Sequence, residues 1–118
     1  MGKEIITEYG TIDISRDVIA QLAGIATMEC VGVVGVVNSR TVNNINDLLR
    51  RDSLSKGVDV SLKDNRLTIT VNIVVGYGIP MNIIGSNITE RVKYAIQKHL
   101  ELAVDRVCVN VQGIKMID

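Results

Sequence analysis

One pattern is written twice in this chain, and it dictates an alternation of helix and strand. Tyr9-Gly10 leads through Thr11-Ile12-Asp13-Ile14-Ser15 into a helix-like segment and then Val31-Gly32-Val33-Val34-Gly35-Val36. Tyr77-Gly78, followed by Ile79-Pro80, leads into a second helix-like segment and a second valine-rich run, Val107-Cys108-Val109-Asn110-Val111. Gly10 and Gly78 are expected to end strands with backbone angles that other residues resist, and Pro80 to stiffen the approach to the second helix.

The hydrophobic period changes along the chain in step with this pattern. From Ser15 the apolar positions are Val18, Ile19, Leu22, Ile25, Ala26 and Cys30, a helical stripe with Ser15 as N-cap and Asp17 in the first turn, where its charge suits the helix dipole. Gly32 is the expected stop. Val58, Val60 and Leu62 then alternate with Asp59, Ser61 and Lys63, and Leu67, Ile69, Val71 and Ile73 alternate with Thr68, Thr70 and Asn72. Asp64-Asn65 between them fits a two-residue hairpin turn, since both residues tolerate a left-handed backbone. A second helix, from Asn82 to Val104, carries Ile84, Ile88, Val92, Ala95, Ile96, His99 and Ala103 on one side.

The resulting order is β-α-β-β-β-α-β in a single domain spanning 1–118. It predicts an α+β fold, a two-layer open-faced sandwich in which a mixed sheet of about five strands carries two helices on one face. Each helical crossover is long enough to join neighbouring strands in parallel, and a common hand places both helices on the same side. With no Trp or Phe in 118 residues, the core must be aliphatic.

Alternation also sorts the other face. It receives Asp59, Ser61, Thr68, Thr70, Asn72, Cys108, Asn110 and Gln112, which are polar but mostly uncharged. Such a face is either simply solvated or a docking surface, because hydroxyl and amide side chains can hydrogen-bond across a contact at small desolvation cost. Thr68, Thr70, Asn72, Asn110 and Gln112 are therefore candidate interaction residues. Tyr9 and Tyr77 are further candidates, as a paired aromatic anchor on one rim. Residues 38–57 differ in character: rich in loop formers, with apolar Ile45, Leu48 and Leu49 and basic Arg40, Arg50, Arg51 and Lys56. This segment either plugs the sheet edge with its leucines or offers Arg50, Arg51 and Lys56 to an acidic partner or to phospholipid head groups.

Chemistry-bearing constellations are scarce. Thirteen basic and thirteen acidic residues cancel, so no overall field draws the chain to nucleic acid or an anionic membrane. Cys30 and Cys108 lie far apart and read as reduced thiols, and His99 is the lone histidine, so neither a metal site nor a cofactor is expected. Gly32-Val33-Val34-Gly35 has the spacing of an RNA-clamping Gly-x-x-Gly loop but enters a strand and lacks Lys or Arg, so no nucleic-acid partner is expected. The segment Met1–Ile6 has no apolar core of a signal peptide, and the run Ile73-Val74-Val75 is far shorter than a bilayer span, so direct membrane insertion is not expected.

In their order, Tyr9-Gly10-Thr11-Ile12-Asp13-Ile14-Ser15, Gly32-Val33-Val34-Gly35, Tyr77-Gly78-Ile79-Pro80 and the stretch from Val92-Lys93-Tyr94 through Val109-Asn110-Val111-Gln112-Gly113-Ile114 resemble the alkaline-shock, or envelope stress response, protein family of Gram-positive bacteria. Within it they resemble the short YloU-like branch. The resemblance implies a non-enzymatic, cytoplasmic interaction or scaffold protein of the envelope stress response, peripheral to the membrane through a protein partner that in some members is membrane-anchored. Self-association is left open by it. In this branch the gene commonly neighbours a fatty acid kinase, which implies an alternative, an accessory protein holding an acyl chain. A third and weaker alternative is a nucleic-acid-binding module acting through residues 40–56. The resemblance assigns no catalytic residue to any position.

Overall fold

The computed structural model describes residues 2–7, 10–38, 48–64 and 66–116, with side chains from Ile14 onward except those of Arg51 and Asp52. Two antiparallel strands, β1 (Gly2–Thr7) and β2 (Gly10–Ser15), lead into helix α1 (Arg16–Met28) and the short strand β3 (Val33–Val36). After a 3-10 turn over Arg51–Gly57 come β4 (Val58–Lys63), β5 (Arg66–Gly76), helix α2 (Met81–Leu100) and β6 (Arg106–Lys115). The class is α+β, with the expected strand–helix–strand, hairpin, helix, strand succession.

β5 is the spine of the main sheet. β4 pairs antiparallel along its first half, from Lys63 opposite Arg66 to Val58 opposite Val71, and β3 pairs antiparallel along its second, Val36 opposite Ile73. β6 runs parallel to β5 along nearly its whole length, from Arg106 opposite Thr68 to Lys115 opposite Gly76. A strand has two edges, so β3 and β4 must lie end to end on one of them while β6 takes the other. The β4–β5 turn is as the sequence predicts at Asp64, whose φ is +52°, and Asn65 lies outside the described residues.

Only the second crossover joins neighbours in parallel. The first, through α1, does not: β2 pairs with β1 in a separate two-stranded sheet, and β3 meets β5 antiparallel. The segment Gly2–Thr7 pairs locally with β2, with Ile5 opposite Ile12, and β2 stays outside the main sheet.

The core lies between the helices and one face of the sheet. Leu67, Ile69, Val71, Ile73 and Val75 from β5 meet Ile84, Ile88, Val92 and Ile96 from α2, with Val107 and Val109 of β6 half-buried against them. α1 is capped as expected: the Ser15 hydroxyl accepts from the Val18 amide at 3.3 Å, and Asp17 sits in the first turn. Its buried face, however, is built from Ile19, Ala20, Ala23, Gly24, Ala26 and Thr27, while Val18 is 50% exposed. Small residues win there because the 3-10 turn packs close. A Cβ on Gly24 would stand 2.7 Å from the Leu54 Cβ, and Leu54 is buried in the core. The helix also ends earlier than the stripe suggests, at Met28, and the chain turns through Gly32 at φ +96°. α2 stops at Leu100, where the amide of a left-handed Glu101 donates to the Gln97 carbonyl, and His99 is exposed.

Ile69 has no exposed surface and Thr70, its neighbour, faces the other way. Ile69→Asp, which buries a carboxylate without a partner, should abolish the folded circular-dichroism spectrum, whereas Thr70→Arg should keep it, since surface changes move stability by about 0.5 kcal/mol. The reverse outcome would shift the register of β5 by one residue.

Candidate functional site

On the helix-free face the sheet is organised by one side chain. Asn72 of β5 is 2% exposed, and each end of its amide is satisfied. Its Nδ2 donates to the Gly57 carbonyl at 3.0 Å, and its Oδ1 accepts from Asn110 Nδ2 at 3.2 Å and from Gln112 Nε2 at 3.1 Å. The backbone carbonyl of the same residue accepts from the Val37 amide at 3.0 Å. Asn72 thus sits where β3 ends and β4 begins, ties both to β5, and reaches across to β6. Gln112 is reached because β6 carries an extra residue there: Val111 faces Ile73 but Gly113 faces Val74.

This geometry changes the role of one candidate. Asn72 is too buried to touch a partner, and it instead fixes the two amides beside it. Each spends one N–H on Asn72, which leaves its carbonyl oxygen and second N–H for other contacts. Asn110 is exposed and Gln112 half-buried, and Thr68 and Thr70 are half-buried on the same face of β5. Asp59 opposite Thr70 and Ser61 opposite Thr68 extend the row onto β4, and Cys108 opposite Thr70 extends it onto β6. The register therefore brings Thr68, Thr70, Asn72, Asn110 and Gln112 together.

The remaining candidates lie apart from that face. Tyr77 is 70% exposed beside a cleft of about 440 Å³ lined by Pro80, Met81 and Ile114. Tyr9 lies outside the described residues, so the paired rim is represented by Tyr77 alone. Of the basic loop, Arg50 and Lys56 are exposed, while the Arg51 side chain and Arg40 lie outside the described residues. The leucines do plug the sheet, on both sides of it. Leu48 bridges to Val37 and packs over Gly35, and the Leu49 amide donates to the Val36 carbonyl at 2.8 Å while its side chain joins the core.

A second cleft, of about 560 Å³, opens between the end of α1 and the middle of α2. Glu29, Cys30, Val31, Asn87, Arg91 and Tyr94 line it. Arg91 and Glu29 approach to 3.9 Å but are both half exposed, so their attraction is worth little. Burial pushes the Cys30 thiol above its ordinary range, with Arg91 pulling it down and Glu29 adding to the rise. The thiol donates to the Ala26 carbonyl at 3.6 Å.

The alkaline-shock protein 23 family model, with a cell envelope-related function, matches residues 4–116, nearly the whole chain. The chain belongs to this family. Among individual proteins it is 36% identical over 117 residues to the uncharacterized protein YloU of Bacillus subtilis, covering 98% of each chain. It is 37% identical over 118 residues to the uncharacterized protein Spy1614 of Streptococcus pyogenes, covering 99% of this chain and 98% of that one. YqhY of Bacillus subtilis is a more distant relative, 26% identical over 109 residues. No solved structure matches. The family assignment carries the cell envelope as the setting, and among the described residues no helix is long and apolar enough to cross a membrane.

The sequence places Asn72 on the polar face but gives no sign of its burial, because Gly57 comes from the 3-10 turn and Asn110 and Gln112 from β6, two stretches distant from each other along the chain. Asn72→Ala strands the Gly57 carbonyl and both neighbouring amides. It should lower stability by about 1–3 kcal/mol, read as a lower urea midpoint, with Asn110→Ala costing less. Equal midpoints for wild type and Asn72→Ala would remove the residue from its organising role.

The Cys30 thiol yields a pH test. Because the folded state holds the thiol proton more tightly than the unfolded chain, this contribution is complete below the ordinary thiol range and is lost as pH rises from there through the raised value of the folded state. Wild-type stability should therefore decline from about pH 8.5 upward, and more steeply than that of Cys30→Ala. Superimposable pH profiles would contradict it.

Proposed function

We propose that this chain is a non-enzymatic interaction protein of the cell envelope, brought to the membrane by a protein partner that docks on the helix-free face of the sheet. The observation that carries this reading is the amide cluster: a buried Asn72 holds Asn110 and Gln112 in fixed orientations beside Thr68 and Thr70. Preorganised, uncharged hydrogen-bonding groups on a firm sheet suit a protein contact, because little side-chain freedom is lost and little charge is desolvated on docking. The envelope setting comes from the family, and recruitment in the cytoplasm as part of a stress response is the reading that joins the two.

The alternative, an acyl chain held between helices and sheet, is less well supported. It requires opening a layer in which Ile69, Ile73, Ile88, Val92 and Ile96 have no exposed surface.

Localisation of folded variants tests the proposal. Thr70→Arg and Asn110→Arg each set a cation into a neutral contact, where it would be buried without a partner. Both should fold like wild type by circular dichroism and leave the envelope fraction of cells. Purified wild-type protein should at the same time fail to sediment with anionic vesicles at about 0.15 M salt, where exposed charges are screened beyond roughly 8 Å. If both variants fold and stay at the cell periphery, the helix-free face is only a solvated surface. Strong sedimentation that is lost when Arg50, Arg51 and Lys56 become Glu would replace the partner by direct lipid contact.

A further inference from the structure

The strand that carries Asn110 and Gln112 is itself an edge. Among the described residues β6 pairs with β5 on one side and with nothing on the other, which leaves one row of backbone amides and carbonyls open along Arg106–Lys115. Ten residues is well above the usual strand length of about five or six. The bulge at Gln112 is its one irregularity. An open edge of this length is shaped for one kind of ligand, an extended backbone that adds a strand to the sheet.

Charge narrows the choice of strand. β6 carries Arg106 at one end, Lys115 at the other, and no acidic residue between them. Around Arg106 the fold gathers more positive charge: Lys63 stands opposite Arg66, and Arg106 stands opposite Thr68, two positions along β5 from Arg66. All three cations share the helix-free face on three adjacent strands, and all three are exposed, as is Lys115. The one ion pair among the described residues, Arg91 with Glu29, involves none of these four. On the helix side of the same strand Val111 and Ile114 are 37% and 48% exposed, beyond the part that α2 covers.

These requirements also argue against a second copy of β6 as the occupant. Antiparallel pairing about the middle of the strand would bring Arg106 of one copy against Lys115 of the other, and like charges directly opposite are destabilising. We propose that the outer edge of β6 receives an extended segment of a different protein, acidic at both ends and apolar at alternate positions between them. Its backbone would continue the sheet, its carboxylates would meet Arg106 with Lys63 and Arg66 at one end and Lys115 at the other, and its apolar side chains would cover Val111 and Ile114. This rests on the docking reading above and specifies the chemistry of the partner.

The probe is a fluorescently labelled peptide of alternating valine and threonine with two glutamates at each end, compared with the same peptide carrying lysines instead. Anisotropy with the full chain should show the glutamate peptide binding at least about tenfold more tightly, the scale expected from two or three exposed charge pairs. Its affinity should fall with added salt. The double variant Arg106→Glu with Lys115→Glu, folded by circular dichroism, should lose the preference, because Lys63 and Arg66 remain at one end while the other end turns acidic. In the complex, amide hydrogen exchange should slow along 106–115 while the outer edge of β4 keeps its rate. Equal binding of the two peptides, unchanged exchange along β6, or protection confined to β4 would overturn the proposal. If the glutamate peptide fails to bind while Asn110→Arg still abolishes envelope localisation, the edge proposal falls and the docking face stands.

Discussion

The main sheet depends on how a single strand meets three others. β5 has two edges and three partners, so β3 and β4 must share one edge, and two strands laid end to end leave a seam. Backbone groups at a seam lack the regular ladder, and a buried carbonyl without a donor costs about 1–3 kcal/mol. Asn72 closes it. Its backbone carbonyl takes the Val37 amide on one side of the seam, and its side-chain amide meets the Gly57 carbonyl on the other. An apolar residue at this position would serve the packing of an otherwise aliphatic strand but leave Gly57 unanswered.

The same side chain links folding to surface chemistry. With its Nδ2 committed to the seam, the Asn72 oxygen must find donors on the opposite side, and β6 supplies them from Asn110 and Gln112. A requirement of strand arrangement thereby fixes two amides on the face that the helices leave uncovered. Structure and proposed docking are joined at one residue that the partner itself would not touch.

Alternation at 58–62 and 67–73 made the two faces of the hairpin legible in the sequence, and Ser15 announced the start of α1. Both signals are local, and both hold in the structure. Direction and coverage are not local. Nothing in Val33-Val34-Gly35-Val36 tells an antiparallel neighbour from a parallel one, and the pairing of β2 with β1 rather than with the main sheet is decided by competition between partners. The exposure of Val18 on α1 departs from the helical stripe for a similar reason, since the residue that presses on Gly24 is Leu54, thirty positions away. Lys63, Arg66 and Arg106 are unremarkable in a chain whose charges sum to zero, and only the register of three strands collects them on one face.

The proposed docking surface of this family member lies on the side of the sheet opposite its helices. Site-specific photo-crosslinking in growing cells examines that placement directly. A photoreactive side chain at Thr70, on the helix-free face, should yield a discrete crosslinked protein adduct, and one at Ile83, exposed on α2, should not. An adduct formed from Ile83 and absent from Thr70 would put the partner on the helices and contradict the account.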